Sequence, residues 1–324
     1  MDPTTPSSPI RAPRHRGRGW TDLVFFGLVA FAGLFVIFLI FAIAAILITQ
    51  SHLAFSTYGF GFLVGTRWNI SPTEQVYGAV PFIADTLITS AIALVIGFPL
   101  ALGSALFLTT QAPRWLRGPL GTVIELLAAI PSVVYGFWGL IFLGPYMRTT
   151  VEPALHRYLG WTGGFNGNET GTDVLTAGVI LAIMVIPTIS AISRETLAAV
   201  PVAQKEAALS LGATDWEVTR TAMLPYARSG VFGATILGLG RALGETMAVT
   251  MTIGNHDALP TSFFSQGQTI SSLIANELTN SAGPLQYSAI IYAGLILLAI
   301  SIAVNVVARL LLWRVLRVSR GSVE

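Results

Sequence analysis

The chain has no cysteine, one lysine (Lys205) and few charges of either sign. The lack of Cys excludes disulfides, thiolate nucleophiles and thiolate-held zinc together. Asp, Glu, Lys and Arg make up 10% of the 324 residues against 53% hydrophobic, with a mean hydropathy of +0.70. A soluble domain carries about 25% charged residues, so this chain is built for lipid. The sequence pI near 9.1 comes from a surplus of two charges, and no polar segment interleaves basic with aromatic residues, which argues against nucleic-acid binding. There is no GxxxxGK[ST] stretch, so the chain carries no P-loop of its own for ATP. The four His residues, at positions 15, 52, 156 and 256, all fall outside the long apolar runs, which removes the base that an intramembrane hydrolase would need. Nothing local explains why seventeen of eighteen basic residues are Arg.

What is present is a set of six apolar runs, each long enough to cross a hydrocarbon core of about 30 Å. They lie at Leu23 to Ile48, Phe82 to Thr109, Leu120 to Gly144, Val174 to Ser193, Ser229 to Ile253 and Ile290 to Leu312. The third and fifth are less uniform, because they hold Pro131 or charged residues. With the N-terminus inside, the cytoplasmic face collects the four Arg between positions 11 and 18, then Arg114, Arg117, Arg194, Lys205, Arg220, Arg228, Arg309, Arg314, Arg317 and Arg320. Only Arg67, Arg148 and Arg157 face outward, the asymmetry expected when basic residues are retained in the cytoplasm. Both termini are therefore expected inside, with residues 1–22 a disordered basic tail, 23–312 an all-α polytopic domain and 313–324 a second cytoplasmic tail. The first run, Leu23 to Ile48, is longer than the roughly 7–15 residues of a signal-peptide apolar core and ends without a small-x-small site, so it reads as an uncleaved span. The outer segments 49–81, 145–173 and 254–285 read either as solvated connectors or as docking surfaces for a soluble partner.

The polar segment 194–228 carries most of the local signal. Helix formers fill Arg194 to Leu211, Gly212 is placed to end that helix, and Thr214-Asp215-Trp216-Glu217 has the spacing of a capping box. Pro225 is expected to interrupt regular helix before the fifth run. By itself this is a capped helix, turn and helix facing the cytosol. The order Glu206-Ala207-Ala208, Gly212, Leu224-Pro225 resembles the EAA loop of bacterial ABC importer permeases, with Ala222 standing where that family often has Ile.

Within the fifth run, Arg241 and Glu245 are four residues apart and so are expected on one helical face. An ionised group at mid-membrane costs about 2.5–3.5 kcal/mol even on the lenient insertion scale. Either the two groups form a mutual salt bridge or they face a water-filled path. Gly240-Arg241-Ala242-Leu243-Gly244-Glu245-Thr246-Met247-Ala248-Val249, with Leu127-Ala128-Ala129-Ile130-Pro131-Ser132-Val133-Val134-Tyr135-Gly136, resembles the C-type permeases of bacterial phosphate ABC importers. Together with the EAA-like loop, the likeness covers most of residues 20–315.

The resemblance implies the six-span, type I importer (MetI-like) permease fold in the inner membrane. It also implies a coupling element at Glu206, Ala207, Ala208, Gly212, Leu224 and Pro225 that docks on a cytoplasmic ATPase. The implied partners are two ATPase subunits that bind ATP and Mg, a second, A-type permease and an extracytoplasmic phosphate-binding protein. No cofactor or metal is expected in the chain itself, and the chain is not expected to be a catalyst. Arg241, Glu245, Thr246, Ser132 and Tyr135 are the expected pathway residues. The Arg241 guanidinium suits a tetrahedral oxyanion, and ionised Glu245 can only accept, which matches the P–OH of monohydrogen phosphate and not sulfate. Arg241 and Glu245 sum to zero charge, so a second cation is expected from the partner permease. A permease for sulfate or molybdate is the alternative within the same class. A secondary transporter would leave the EAA-like loop without a role. Gly136 and Gly139 are expected to allow close helix packing, and Asp85 and Glu125 to snorkel or cap locally.

Overall fold

The computed structural model describes residues 20–71 and 74–318, so the Arg-rich N-terminal stretch and Arg320 lie outside the described residues. The chain divides into two compact units, residues 1–46 and 47–324. The first contains most of α1 (Trp20–Gln50), an apolar helix whose side chains from Asp22 to Phe41 are all exposed. Its apolar residues run around the whole circumference, as on a helix whose solvent is hydrocarbon. Among the described residues the fold is helical, with two isolated β-bridges and no strand.

The second unit begins with the short helices α2 (His52–Tyr58) and α3 (Gly61–Val64), followed by α4 (Val80–Leu106). α5 (Arg114–Ala129) and α6 (Ser132–Trp138) meet at Ile130-Pro131, where both residues are extended. Pro131 cannot donate to the preceding turn, and residues before a proline avoid helical backbone. The axis bends there by 92°. The third apolar run is therefore a broken element and not one straight helix. It continues through α7 (Gly144–Tyr146) and a π turn to α8 (Glu152–Leu159). α9 (Val174–Ala198) is the central helix, more buried than any other element of membrane-spanning length. It packs along α4 and α12 (Leu224–Gly244) around Val185, Ile189, Ala93 and Ala234.

Two corrections concern the polar loop. Arg194 to Leu211 is not one helix: α9 ends at Ala198, and α10 (Val202–Ser210) starts after Pro201. Nor does Pro225 interrupt a helix, because α11 (Asp215–Val218) continues through a π turn at Thr219–Met223 into α12, with Pro225 in the first turn of α12. The wider π hydrogen-bond register accommodates a residue that lacks an N–H.

α13 (Met247–Thr252), α14 (Ile270–Glu277) and α15 (Pro284–Val318) complete the chain. Among the described residues, four helices are long and apolar enough to cross a membrane, and five elements if the bent pair is one span. These are the first, second, fourth and sixth apolar runs, then the third; the fifth is divided between α12 and α13. An aromatic cluster closes one end of the unit, with Phe62 stacked on Tyr292 at 4.6 Å and Trp68 edge-on to Tyr77 and Phe82 at 4.7 and 5.0 Å. Tying the segment after α13 to this end is Asp85, which is fully buried and does not snorkel. Its Oδ2 accepts from the Gln268 N–H at 2.8 Å, while Thr86 Oγ1 accepts from the Ile270 N–H at 3.1 Å. Glu125 likewise is no isolated snorkelling group: it pairs with Arg194 at 2.6 Å, joining α5 to α9.

Candidate translocation site and coupling surface

The fifth apolar run changes direction at the residues that carry its charge. α12 ends at Gly244, and Glu245 adopts extended backbone (φ −69°, ψ 129°) before α13 begins. Arg241 and Glu245 are therefore not neighbours on one continuous helical face, because the 3.6-residue geometry that would align them stops between them. No ion pair joins them among the described residues. Glu245 Oε1 instead accepts from the Ala248 N–H at 3.5 Å, turning back over the first turn of α13. Arg241 is half-buried, and its Nη1 donates to Thr188 Oγ1 of α9 at 3.4 Å. No carboxylate lies within ion-pair distance of Arg241 among the described residues.

Pathway candidates from the third run lie on α6. Tyr135 is buried, and its hydroxyl donates to the Leu127 carbonyl at 2.9 Å, bridging the bend at Pro131. Ser132 is half-buried at the start of α6, and Thr246 Oγ1 donates to the Gly244 carbonyl at 3.3 Å. Packing fixes this arrangement. A Cβ on Gly136 would meet Ala248 Cα at 2.9 Å, and one on Gly139 would meet Ile180 and Thr252 side chains at 2.8 and 2.9 Å. The two glycines thus allow α6 to press against α13 and α9, as expected for small residues at membrane helix crossings. Sequence reasoning missed Thr188. Its place one residue after Pro187 in the fourth run gives no sign that it meets a residue 53 positions away.

At the other end of α9 the polar loop forms a small platform. Gly212 is left-handed (φ +86°), ending α10 without a Cβ penalty. The capping box is formed: Thr214 Oγ1 accepts from the Glu217 N–H at 3.4 Å, and Glu217 Oε2 accepts from the Thr214 N–H at 2.8 Å. Those donors from Thr214 hold the Glu217 carboxyl below its ordinary range. Val200, Val218 and Met223 bury against Leu197, Ala105 and Ala227, with Ala222 and Leu224 packed alongside. This anchors the platform to α4, α9 and α12. Its other face is open, with Glu206 and Ala207 exposed beside Val202, Leu209, Leu211 and Trp216.

A bent third element, a broken charged helix and apolar helices long enough to cross a bilayer fit a membrane permease. Residues 93–317 match the family described as "Binding-protein-dependent transport system inner membrane component", and the chain belongs to that family. Among its relatives, the "Phosphate transport system permease protein PstC" of Mesorhizobium japonicum is 44% identical over 299 residues, spanning 91% of each chain. The protein of the same name from Pasteurella multocida is 46% identical over 298 residues, covering 91% of this chain and 92% of its own. A "Phosphate transport system permease protein PstC 2" from Mycobacterium tuberculosis is 40% identical over 284 residues, 86% of this chain and 87% of its own. The fold is shared with a bacterial alginate ABC transporter solved with an alginate-bound periplasmic protein (TM-score 0.62, 19% identity, 92% of this chain and 98% of that one). The all-α, MetI-like permease architecture expected from sequence is thus the observed one, in a multi-pass inner-membrane component.

Proposed function

We propose that this chain is a permease subunit of an ATP-driven importer of inorganic phosphate, lining the path together with a second, A-type permease. The observation that carries this reading is the Arg241 guanidinium, half-buried at the break between α12 and α13 and without a carboxylate partner. A cation kept at that depth without a counter-ion is costly and is matched by an anion in transit. Five N–H donors in a planar fork suit a tetrahedral oxyanion. The relatives' names supply the substrate, and Glu245 supplies the selectivity: as an acceptor only, it takes the P–OH of monohydrogen phosphate and repels fully ionised sulfate. Thr246, Ser132 and Tyr135 border the same path. A phosphate dianion exceeds the single charge of Arg241, so a second Arg or Lys comes from the partner permease.

In this reading all six apolar runs span the membrane, the broken fifth included, with both termini cytoplasmic. The exposed apolar side chains of the 202–216 platform dock on the ATPase subunits, which bind ATP and Mg. The rigid stretch from α11 into α12 carries their closure to Arg241. An extracytoplasmic phosphate-binding protein delivers the substrate.

The test is uptake of labelled phosphate, with excess sulfate or molybdate as competitors, in cells whose only high-affinity phosphate importer contains this chain. Uptake that ignores both competitors and is lost in Arg241→Ala supports the reading. Uptake unchanged by Arg241→Ala would remove Arg241 from the path, and competition by sulfate or molybdate would make the chain a general oxyanion permease. In Glu245→Gln, normal phosphate uptake with sulfate still excluded would refute the role given to Glu245.

A further inference from the structure

A second charged feature lies away from Arg241, where the segment after α7 returns to the start of α9. Glu152 opens α8, Asp173 caps α9, and neither side chain has any solvent-accessible surface. Each carboxyl spends one oxygen on a backbone donor. Glu152 Oε2 accepts from the Gly171 N–H at 3.3 Å, and Asp173 Oδ1 accepts from the Thr176 N–H at 2.8 Å. The other two oxygens, Oε1 of Glu152 and Oδ2 of Asp173, are buried and receive no N–H or hydroxyl donor. The Gly171 N–H that binds Glu152 lies two residues before Asp173, so the two buried carboxyls sit against the same short stretch of chain. Two carboxylates have no proton to place between them, and burying both as anions without a cation is prohibitively costly.

We infer that Glu152 and Asp173 share one proton, and that this proton clamps residues 145–173 onto the start of α9. The surrounding charges leave no other means of neutralising the pair. Glu169 adds a further negative charge and is itself paired with His156 at 3.3 Å. Arg148, on the π turn before α8, lies beside Gly171 but forms no ion pair with either carboxylate, and neither does Arg157 of α8 or His256 of the facing 254–269 segment. That segment also carries Asp257, another acid. It packs on the start of α9 through the Val174 and Leu175 N–H groups, which donate to the Ser265 and Phe263 carbonyls at 3.1 and 2.9 Å.

Proton placement follows from the donors. Asp173 is raised by burial but held down by the Thr176 N–H at the start of α9, which makes it the carboxylate of the pair. Glu152, pushed up to about 8 by burial and then by the Asp173 charge, carries the proton. The backbone geometry makes the clamp tight. Gly171 is left-handed (φ +70°) and crosses against Gly144 so closely that neither position has room for a Cβ. Opening the clamp releases a proton to water, so the open fraction rises by up to about tenfold per pH unit until pH reaches about 8, then levels off.

The chain's lack of Cys provides a direct test. Val174, fully buried beside the pair, is replaced by Cys in the full chain, and its maleimide labelling is followed in membranes from about pH 6 to about pH 10, with Glu152 or with Glu152→Gln. Comparing the two backgrounds at each pH cancels the intrinsic reactivity of the thiol. An amide at 152 donates the missing hydrogen bond without a titratable proton. The expected result is that the Glu-to-Gln labelling ratio climbs towards pH 8 and then flattens. Asp173→Asn is expected to behave as Glu152→Gln does. A ratio that stays constant with pH would overturn the inference, as would fast labelling at every pH in both amide variants.

Discussion

Replacing Gly136 by Ala tests whether the contact between α6 and α13 is as close as the structure requires. The added Cβ would lie 2.9 Å from Ala248 Cα and from Met251 Sδ, and 3.2 Å from the Met247 carbonyl oxygen. Met251 can swing away, but the two backbone atoms cannot, so the helices must separate by a few tenths of an ångström or more. Overpacking of this kind costs about 1–3 kcal/mol, against a gain of about 0.5–1 kcal/mol for Gly to Ala inside a helix, leaving a net loss of up to about 2.5 kcal/mol. Gly118→Ala is the matched control: it also lies within a helix, and its Cβ meets nothing within 4 Å. Denaturant unfolding of the purified importer, reading the tertiary structure of this chain, should show the two variants moving in opposite directions, Gly136→Ala down and Gly118→Ala level or slightly up. Phosphate uptake should fall with Gly136→Ala, because α13 begins beside the Arg241 break. A Gly136→Ala protein as stable as the parent would refute the close crossing of α6 and α13.

Arg241→Lys keeps the charge but loses the planar fork, so phosphate uptake should drop by about tenfold or more, with sulfate still excluded. Neutralising the matching Arg or Lys of the partner permease should impair uptake as Arg241→Ala does; a partner without any such residue would sink the shared-site picture. Asp257, in the segment after α13, is raised to about 6 by burial and then by Glu277, so its contribution to stability is present below the ordinary carboxyl range and is lost as pH rises through about 6. Asp257→Asn should flatten that part of the stability profile, measured as unfolding midpoint against pH. For Glu217, depressed by its Thr214 bonds, the sign is opposite: the capping box is intact above the ordinary carboxyl range and weakens as pH falls below it. Thr214→Ala should uncouple ATP hydrolysis from uptake without lowering ATPase activity itself.

The structure also shows where reading the chain stops being sufficient. The turn at Gly212 and the capping box were legible because both are local: a left-handed backbone needs glycine, and a Thr and a Glu three residues apart satisfy each other's donors. Gly136 and Gly139 were legible as packing positions because small residues mark close helix crossings, though not which helices they meet. The break after Gly244 was not. Nothing in Gly-Glu-Thr-Met forbids helix, and the extended Glu245 is stabilised by what α13 packs against, namely α6, α9 and α14. The salt bridge that four-residue spacing suggested therefore never forms. Asp85 and Glu152 were equally opaque, since their partners lie 183 and 19 residues away.

By itself, then, the sequence determined the solvent, the helical class, the apolar runs, the capped turn in the polar loop and the family, because hydropathy, capping and motif order act over a few residues at a time. The tertiary structure alone decided that Arg241 meets Thr188 and not Glu245, that the third run bends by 92°, and that Glu152 and Asp173 are both fully buried. Those outcomes depend on which helices touch. Contact between distant segments is fixed by the whole packing of α4, α9 and α12, and no local pattern encodes it.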